Sequence, residues 1–396
     1  MAPLGSLRAF RTPRASAHVV LQRCWQAGDA AVLLDPSAPD AVVTATCRRL
    51  RPAELVDVDT DGRAVRRTRF DDGEPVDDGI ALVVATSGST GEPKGVELTH
   101  TALASSVRAG LARLGARDGE RWALALPTHH VAGVLVHLRA AALGTRAVTV
   151  DSTAELATVD AEHLALVPTQ LTALIEAGVD VSRFRSILLG GAPAPPGLLD
   201  AAARAGARVV TSYGMSETCG GCVYDGDPLD GVELDVDPRG RIRVRGDVLF
   251  SRYRRDPAAT SAAFGPDGWF TTGDVGGFTT EGGSRRLVVA GRADDVAVSG
   301  GENVPLAAVT AVLAAHPRVD DVVVTSRPHP RWGEEVVAVV VGDVTLAELR
   351  ERVRDRLPAA WAPRAVTVTG ALPRDAMGKL AASEVADLAA AAIPRV

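Results

Sequence analysis

Several residue types and patterns that mark particular protein classes are scarce in this sequence. Only 4 of the 396 residues are cysteine, too few for a disulfide framework, so we expect a reducing compartment, the cytoplasm. Residues 1–20 carry charges but no apolar segment, which predicts that no signal peptide is present. No stretch approaches about 20 uncharged apolar residues, so we expect no membrane insertion.

An excess of one charge is also missing. The 43 basic and 49 acidic residues give a formal net charge of −6 without a long run of either sign, which argues against nucleic acid or an anionic membrane as the main partner. The 46% hydrophobic and 23% charged content is that of a globular protein. The length predicts two or three domains that can bury a core without a metal or a disulfide.

Lysine is the rarest charged residue. Lys94 and Lys379 are the only two, and arginine accounts for every other residue in the basic count. Where either cation would serve, this sequence uses arginine, so both positions are candidates for a compact ammonium that contacts a phosphate or a reacting oxygen. Chance is the alternative, but both lysines fall inside recognisable motifs.

Alternating apolar segments predict an α/β fold. Residues 80–85 form a continuous apolar run typical of a buried strand, which leads into a loop over residues 86–95. Residues 99–114 have helical spacing, with Thr99 as the cap. Such alternation predicts mostly parallel sheets layered with helices. Further strands are predicted at 122–126, 146–150, 164–167, 186–189 and 208–210, and helices at 169–177 and 196–205.

A domain boundary is predicted after residue 291. The large N-terminal domain, residues 1–291, ends in shorter strands at 242–244, 248–250 and 287–289. The small C-terminal domain, residues 292–396, is predicted to be α+β. It has helical spacing at 307–316 and 346–357 and strand-like runs at 321–326 and 336–341.

The strongest local motif is the sequence Thr-Ser-Gly-Ser-Thr-Gly-Glu-Pro-Lys-Gly over residues 86–95. Small hydroxyl and glycine residues let the backbone approach an anion closely, and Lys94 adds a positive charge, so the loop predicts a polyphosphate site. Lys94 is followed by Gly95 rather than by Ser or Thr, which excludes a P-loop. A flexible linker is the alternative, but the apolar strand that runs into the loop argues against it. The candidate phosphate ligands are Thr86, Ser87, Gly88, Ser89, Thr90, Gly91 and Lys94.

This loop resembles the signature of the adenylate-forming superfamily, which contains acyl-CoA and aryl-CoA ligases, luciferases and peptide-synthetase adenylation domains. Other motifs of that family follow in the expected order, and they extend the resemblance over residues ~80–380. They lie at residues 190–193, 212–217, 272–274, 291–295 and 372–379.

The resemblance implies ATP, Mg²⁺ and coenzyme A as cofactors and assigns roles to individual residues. It implies that Tyr213 stacks on adenine, that Glu217 and Ser216 hold the magnesium, and that Asp274 and Arg292 bind the ribose. The other ATP contacts that it implies are Gly191, Ala192, Pro193, Ser212, Gly214 and Met215.

The same resemblance implies a division of labour in the C-terminal domain. Lys379 is the expected adenylation lysine. The domain is expected to be a mobile lid that turns about Asp294 between two half-reactions. Ser299, Gly300 and Gly301 are then expected to line the channel for the pantetheine of coenzyme A.

Residues 126–133 resemble the family element that lines the acyl pocket. His130 is implied to orient the reacting carboxylate, and a buried structural histidine is the alternative. His129 stands where the family commonly has Phe. The candidates for recognising the acid are Thr128, His129, His130, Thr169, Gln170, Gly214 and Gly221.

Residues 212–226 and 228–232 resemble 2-succinylbenzoate–CoA ligases of actinobacterial type. A single C-x-x-C pair, Cys219 and Cys222, predicts packing in the pocket wall, where small neighbours leave room for a ring, rather than a zinc or redox site. The phosphate loop begins at Thr86, early for an acyl-CoA ligase, and short members of this group share that feature. The implied reaction converts 2-succinylbenzoate to its CoA thioester through an acyl-AMP, releasing AMP and pyrophosphate, in menaquinone biosynthesis.

Three alternatives stay open. The chain could be another aryl- or acyl-CoA ligase, a stand-alone adenylation domain that loads a carrier protein, or a non-catalytic nucleotide-binding relative. The presence of Lys379 and Glu217 argues against the last of these. The oligomeric state is also open, a homodimer included, and the expected partners are a small aromatic carboxylic acid, ATP and coenzyme A.

Overall fold

A computed structural model of the chain describes residues 5–87, 93–195, 197–281, 283–293, 295–374 and 380–392. Its α-helices, numbered in chain order, are α1 (Ala17–Gln26), α2 (Asp40–Leu50), α3 (His100–Leu114), α4 (Val131–Ala142), α5 (Thr153–Thr158), α6 (Pro168–Glu176), α7 (Leu198–Arg204), α8 (Pro257–Ala263), α9 (Leu306–Ala314), α10 (Leu346–Arg354) and α11 (Ala382–Ala390).

The strands are numbered in the same way. They are β1 (Gly5–Arg11), β2 (Ala30–Leu34), β3 (Glu54–Val58), β4 (Ala64–Arg69), β5 (Pro75–Val76), β6 (Ile80–Ser87), β7 (Pro93–Thr99), β8 (Trp122–Leu124), β9 (Val148–Thr149), β10 (His163–Leu166), β11 (Ser186–Leu189), β12 (Val209–Met215), β13 (Gly220–Tyr224), β14 (Asp227–Pro228), β15 (Val232–Val236), β16 (Arg241–Gly246), β17 (Arg252–Tyr253), β18 (Phe270–Glu281), β19 (Ser284–Arg292), β20 (Val296–Ser299), β21 (Glu302–Pro305), β22 (Val319–His329), β23 (Gly333–Gly342) and β24 (Ala365–Val368).

Two large sheets organise the N-terminal part of the chain. A seven-stranded sheet has the order β14-β13-β12-β11-β10-β8-β9, and its pairs from β12 to β9 are all parallel. An eight-stranded sheet has the order β17-β7-β6-β2-β1-β3-β4, with β5 beside β1. It is mixed, because β6–β7 and β3–β4 are hairpins. The α/β class is confirmed, and the parallel pattern is concentrated in the seven-stranded sheet.

The central strands of the seven-stranded sheet are buried on both faces, as a parallel sheet covered by helices requires. All four residues of β10 and of β11 are buried. Leu164, Ile187 and Leu189 belong to one apolar cluster with Leu171 and Leu174 of α6. Three of the predicted motifs follow β8 and β11 or begin in the second half of β12.

The chain divides into two compact units. The first unit comprises 1–234 and 244–271, and the second comprises 235–243 and 272–396. The boundary predicted after residue 291 falls inside the second unit, at the end of β19, and it stays a prediction. A four-stranded sheet of order β15-β16-β18-β19 and a five-stranded sheet of order β21-β20-β23-β22, with β24 beside β23, complete the fold.

Most of the elements predicted from local sequence signals lie within a few residues of the observed ones. Thr99 caps α3, as predicted, by accepting a hydrogen bond from the backbone N–H of Ala102 at 3.0 Å. The strand predicted at 248–250 is wrong, because these residues form a turn between β16 and β17. Phe250 is buried in this turn, and its ring packs against Tyr253, Phe264 and Phe270 at centroid distances of 4.8, 5.0 and 5.3 Å.

None of the helices in the described residues combines the length and apolar character needed to cross a membrane.

Candidate active site

Lys94 lies on a β-hairpin at the edge of the first unit's mixed sheet. β6 and β7 pair antiparallel, with Thr86 opposite Lys94 and Ala85 opposite Gly95. The Thr86 hydroxyl donates to the Lys94 carbonyl at 3.4 Å. The loop predicted over 86–95 is therefore shorter than expected, since its ends are paired strand residues. Ser87 is the last residue of β6, and Gly88, Ser89, Thr90 and Gly91 lie outside the described residues.

Glu217 lies in a tight turn between β12 and β13. Thr218 is fully buried, and its hydroxyl accepts a hydrogen bond from the Met215 N–H at 2.9 Å and donates to the Gly220 carbonyl at 2.7 Å. Cys219 then takes a left-handed conformation, with φ of 49°. Thr218 thus closes the turn, and Ser216 and Glu217 stay half-buried at its surface.

Tyr253 connects Glu217 with Lys94. Its hydroxyl donates to Glu217 Oε1 at 2.8 Å, and Lys94 Nζ lies 5.0 Å from the centroid of its ring. The Phe250 N–H also donates to the Glu217 carbonyl at 2.8 Å. The structure therefore brings two of the predicted catalytic residues to the same tyrosine.

One predicted adenine motif follows β11 of the seven-stranded sheet, and the other lies in the neighbouring strand β12. Gly191, Ala192 and Pro193 come directly after β11, and Gly191 has a φ of 85°. Ser212, Tyr213, Gly214 and Met215 are half-buried residues of β12, which pairs in parallel with β11. Parallel strands end at the same edge of a sheet, so both motifs lie at that edge.

The glycines of the predicted acyl pocket have a packing role that the sequence did not reveal. A Cβ on Gly214 would lie 2.0 Å from the Gly220 carbonyl oxygen, and a Cβ on Gly221 would lie 1.9 Å from Ser212 Oγ. Ser212 occupies the space beside Gly221, and the expectation that small residues beside the cysteines leave room for a ring stays a prediction. Both glycines permit the close approach of β12 and β13.

Cys219 and Cys222 are fully buried free thiols. Burial raises the pKa of both thiols well above the usual value. Within the described ranges no group of three or more His, Cys, Asp and Glu side chains is placed to hold a metal ion. The burial of both thiols agrees with the predicted packing role of the pair.

His129 and His130 form a pair at the start of α4. Their rings are 4.4 Å apart between centroids, tilted by 47°, and both residues are half-buried. Asp35 follows β2 and accepts hydrogen bonds from the Ser37 N–H at 2.8 Å and hydroxyl at 2.7 Å. Burial alone would raise the pKa of Asp35, but Ser37 and the nearby positive charge of His129 and His130 hold it below its usual value.

The other residues predicted to recognise the acid differ in whether their polar groups are free of other contacts or exposed. Gln170 uses both ends of its amide, because Oε1 accepts from the Val167 N–H and Nε2 donates to the Ala125 carbonyl, each at 3.1 Å. Thr128 is buried, with 3% of its surface exposed, and Thr169 is exposed at the start of α6. Gln170 therefore acts as a link between two backbone segments.

The predicted ribose residues face each other in the second unit. Asp274 and Arg292 are opposite one another on the β18–β19 hairpin, and Arg292 Nη1 lies 3.5 Å from Asp274 Oδ1. The Thr272 hydroxyl, which is fully buried, accepts from the Asp274 N–H at 3.0 Å and donates to the Ile242 carbonyl at 2.9 Å. Thr272 thus fixes the backbone of the strand at Asp274.

The predicted coenzyme A segment is a two-residue hairpin turn between β20 and β21. Gly300 and Gly301 have φ values of 63° and 86°. A type I′ turn requires positive φ at both central residues, and residues other than glycine rarely adopt it. The Gly300 N–H donates to the Trp332 carbonyl at 2.9 Å. Ser299 is buried, and its hydroxyl has no hydrogen-bond partner among the described residues. Asp294 and Lys379 lie outside those residues.

A sequence model described as AMP-binding enzyme matches residues 10–248, and the model of the AMP-binding enzyme C-terminal domain matches residues 308–379. The chain belongs to the AMP-binding enzyme family. The resemblance found in the motifs is therefore confirmed. The first matched range contains Lys94 and Glu217, and the second contains Lys379.

Individual AMP-binding enzymes resemble the chain over most of its length. A probable 2-succinylbenzoate–CoA ligase of Mycobacterium tuberculosis is 41% identical over 327 residues, 78% of this chain and 84% of that protein. The long-chain-fatty-acid–CoA ligase FadD13 of that organism is 30% identical over 349 residues, 79% of this chain and 68% of that protein. The structure of o-succinylbenzoate CoA synthetase from Bacillus subtilis with the acyl-adenylate intermediate OSB-AMP matches with a TM-score of 0.82 and 27% identity, covering 97% of this chain and 88% of that one.

Two residues that lie beside candidate site residues of this AMP-binding enzyme belong to no motif. Tyr253 lies just beyond the range of the first family match, in a two-residue strand, and Asp35 lies in a turn with no motif. For Tyr253, the one signal in the sequence is that tyrosine is rare, with 3 in the chain.

Proposed function

We propose that this AMP-binding enzyme is an ATP-dependent 2-succinylbenzoate–CoA ligase. It would join the succinyl carboxylate of 2-succinylbenzoate to AMP, release pyrophosphate, and pass the acyl group to the thiol of coenzyme A. The observation that carries the proposal is the 41% identity, over 78% of this chain, to the mycobacterial protein named as such a ligase. The arrangement of Lys94 and Glu217 around Tyr253 supports the adenylation chemistry.

Glu217 is the residue we propose to hold Mg²⁺. Its carboxylate is half-buried, one oxygen accepts from Tyr253, and no hydrogen bond within the described residues occupies Oε2. Mg²⁺ is commonly bound by one or two carboxylates together with substrate phosphates and water, so a single acid fits. When bound, Mg²⁺ would stabilise negative charge on the phosphates during attack by the carboxylate. Ser216 precedes Glu217 in the turn and is the second proposed ligand.

Lys94 is proposed to bind the phosphates of ATP, and Asp274 is proposed to bind its ribose. The Lys94 ammonium is a compact charge that suits the phosphates. Asp274, whose side chain is 13% exposed, can accept hydrogen bonds from two ribose hydroxyls. Arg292, whose side chain is 50% exposed, lies beside it and can donate to the same sugar. Tyr213 is proposed to stack on adenine.

The acyl pocket is proposed to lie at the histidine pair. His130 would orient the reacting carboxylate, and His129 would recognise the benzoate carboxylate, because Gln170 has both amide ends occupied and Thr128 is buried. His129→Ala should raise the KM for 2-succinylbenzoate while the KM for ATP stays unchanged. Thr169→Ala is the matched control, and an equal rise in both variants would contradict the assignment.

The second half-reaction is proposed to use the hairpin turn of Ser299, Gly300 and Gly301 as the contact for coenzyme A. A turn without side chains leaves room for a thin pantetheine chain. Lys379 is proposed to act only in adenylation. The domain division after residue 291, the cytoplasmic location and the use of the product in menaquinone biosynthesis belong to the same proposal.

The deciding experiment is mass spectrometry of a reaction of the purified protein with MgATP, coenzyme A and 2-succinylbenzoate, beside benzoate and a fatty acid. A succinylbenzoyl-CoA signal well above the other thioesters is expected, and Glu217→Gln should reduce it. ATP–pyrophosphate exchange supported by a different acid would retain the adenylating chemistry and reject this substrate.

A fatty acid is the second candidate substrate, because FadD13, at 30% identity, is a long-chain-fatty-acid–CoA ligase. Carrier-protein loading is the remaining alternative. It predicts acyl-AMP formation without transfer to coenzyme A. The acid would then support ATP–pyrophosphate exchange, and no CoA thioester would appear in the mass spectrum.

A further inference from the structure

Tyr253 occupies a position that no sequence motif identified, between two oppositely charged groups of the first unit. It lies in β17, which pairs antiparallel with β7, and Tyr253 is opposite Val96. Only 8% of the residue is exposed, and its ring packs on Phe250 at a centroid distance of 4.8 Å. Its hydroxyl and the face of its ring are therefore both held in place.

The two charged groups contact different parts of this side chain. Glu217 Oε1 accepts a hydrogen bond from the hydroxyl at 2.8 Å, whereas the Lys94 ammonium lies over the ring at 5.0 Å from its centroid. An aromatic face attracts a cation, and a phenol donates well to a carboxylate. In the part of the chain that the structure describes, Lys94 and Glu217 make no direct ion pair.

We propose that Tyr253 is a positioning residue that keeps Lys94 and Glu217 apart and available for MgATP. This inference rests on the proposed roles of Lys94 and Glu217 in binding phosphate and metal. An ammonium and a carboxylate this close to one residue would pair directly if nothing lay between them, and each would then compete with the ligand. The ring holds the ammonium, and the hydroxyl occupies Oε1 and leaves Oε2 for the metal.

The ring and the hydroxyl can be separated by two substitutions. Tyr253→Phe keeps the ring and removes the hydroxyl that donates to Glu217. Tyr253→Leu removes both. Tyr224→Phe is the matched control, because Tyr224 is a buried tyrosine of the same unit whose hydroxyl instead accepts from Arg139 at 3.1 Å.

The measurement is calorimetric titration of each variant with ATP, once with excess Mg²⁺ and once with EDTA, without acid or coenzyme A. Tyr253→Phe should weaken MgATP binding by about tenfold, the usual effect of losing a hydrogen bond to a metal-binding carboxylate, and leave metal-free ATP binding unchanged. Tyr253→Leu should in addition weaken metal-free binding by roughly two- to fivefold. Tyr224→Phe should change neither constant.

If the role of Tyr253 were purely structural, Tyr253→Phe would weaken the binding of MgATP and of metal-free ATP equally. That outcome, or no change in either constant, overturns the inference. Should Tyr253→Phe fail to fold, Tyr253→His replaces it: the shorter imidazole cannot donate where the phenol hydroxyl does, so the preference for MgATP should fall as in Tyr253→Phe. In a Glu217→Gln background, Tyr253→Phe should have no further effect on that preference.

Failure of the thioester assay with 2-succinylbenzoate would reject the proposed substrate and leave these ATP titrations interpretable.

Discussion

Replacing Arg254 with methionine should destabilise the first unit by about 3 kcal/mol. Arg254 is 2% exposed and Glu97 is fully buried, and Arg254 Nη1 donates to Glu97 Oε1 at 2.9 Å. The same guanidinium donates to the carbonyls of Leu50 at 2.6 Å, Glu74 at 2.5 Å and Pro75 at 3.2 Å. One side chain therefore joins the end of α2, the segment around β5, and β7.

The magnitude follows from what the substitution leaves behind. Breaking a buried ion pair by removing one partner typically costs about 3–5 kcal/mol, because the other charge stays buried. Glu97 keeps a second partner, since Arg252 Nε donates to its Oε2 at 2.7 Å, so the lower end applies. Methionine retains much of the apolar volume of the arginine stem, so the loss is chiefly electrostatic.

The assay is urea unfolding with a parallel thermal scan. A loss of ~3 kcal/mol corresponds to a fall in Tm of roughly 6 °C for a unit of this size. Arg255→Met is the matched control, because Arg255 pairs with Glu74 at 3.1 Å with side chains 27% and 39% exposed, and such a pair contributes at most about 1 kcal/mol. The reasoning is refuted if Arg254→Met loses no more stability than Arg255→Met.

Three further predictions concern catalysis, pH and packing. Lys379→Ala should slow ATP–pyrophosphate exchange by about 100-fold and spare conversion of pre-made acyl-AMP to thioester, so equal loss of both steps would contradict its assignment to adenylation. Burial lowers the pKa of His137 from 6.5 to about 4, so the stability it contributes is complete above pH 6.5 and declines as the pH falls toward 4. The loss should reach about 3 kcal/mol in urea unfolding, and His137→Gln should flatten the curve, whereas parallel curves would argue against it. Gly221→Ala should lower the free energy of unfolding by ~1–3 kcal/mol, because its Cβ would lie 1.9 Å from Ser212 Oγ. Adding Ser212→Ala should recover part of that loss, and Gly370→Ala, where a Cβ meets nothing within 4 Å, should have no effect.

Local signals in the sequence determined the fold class and the identity of the family. The strand at 186–189 was located to the residue, because a short apolar run reports burial on both faces of a parallel sheet. Thr99 marked the start of α3, because a hydroxyl that caps a helix acts within three residues. The ordered motifs, with the two lysines inside them, sufficed to indicate adenylate-forming chemistry.

Only the tertiary structure decided how the motif residues are held. Tyr253 is 36 residues from Glu217 and reaches it through the pairing of β17 with β7, which no local pattern reports. The sequence showed that Gly221 is small but not that Ser212 occupies the space beside it. It likewise could not show that Gln170 uses both amide ends within the fold. The physical reason is common to all three: local patterns record which face of an element is buried, whereas a side chain's partners depend on strand register and on segments distant in the chain.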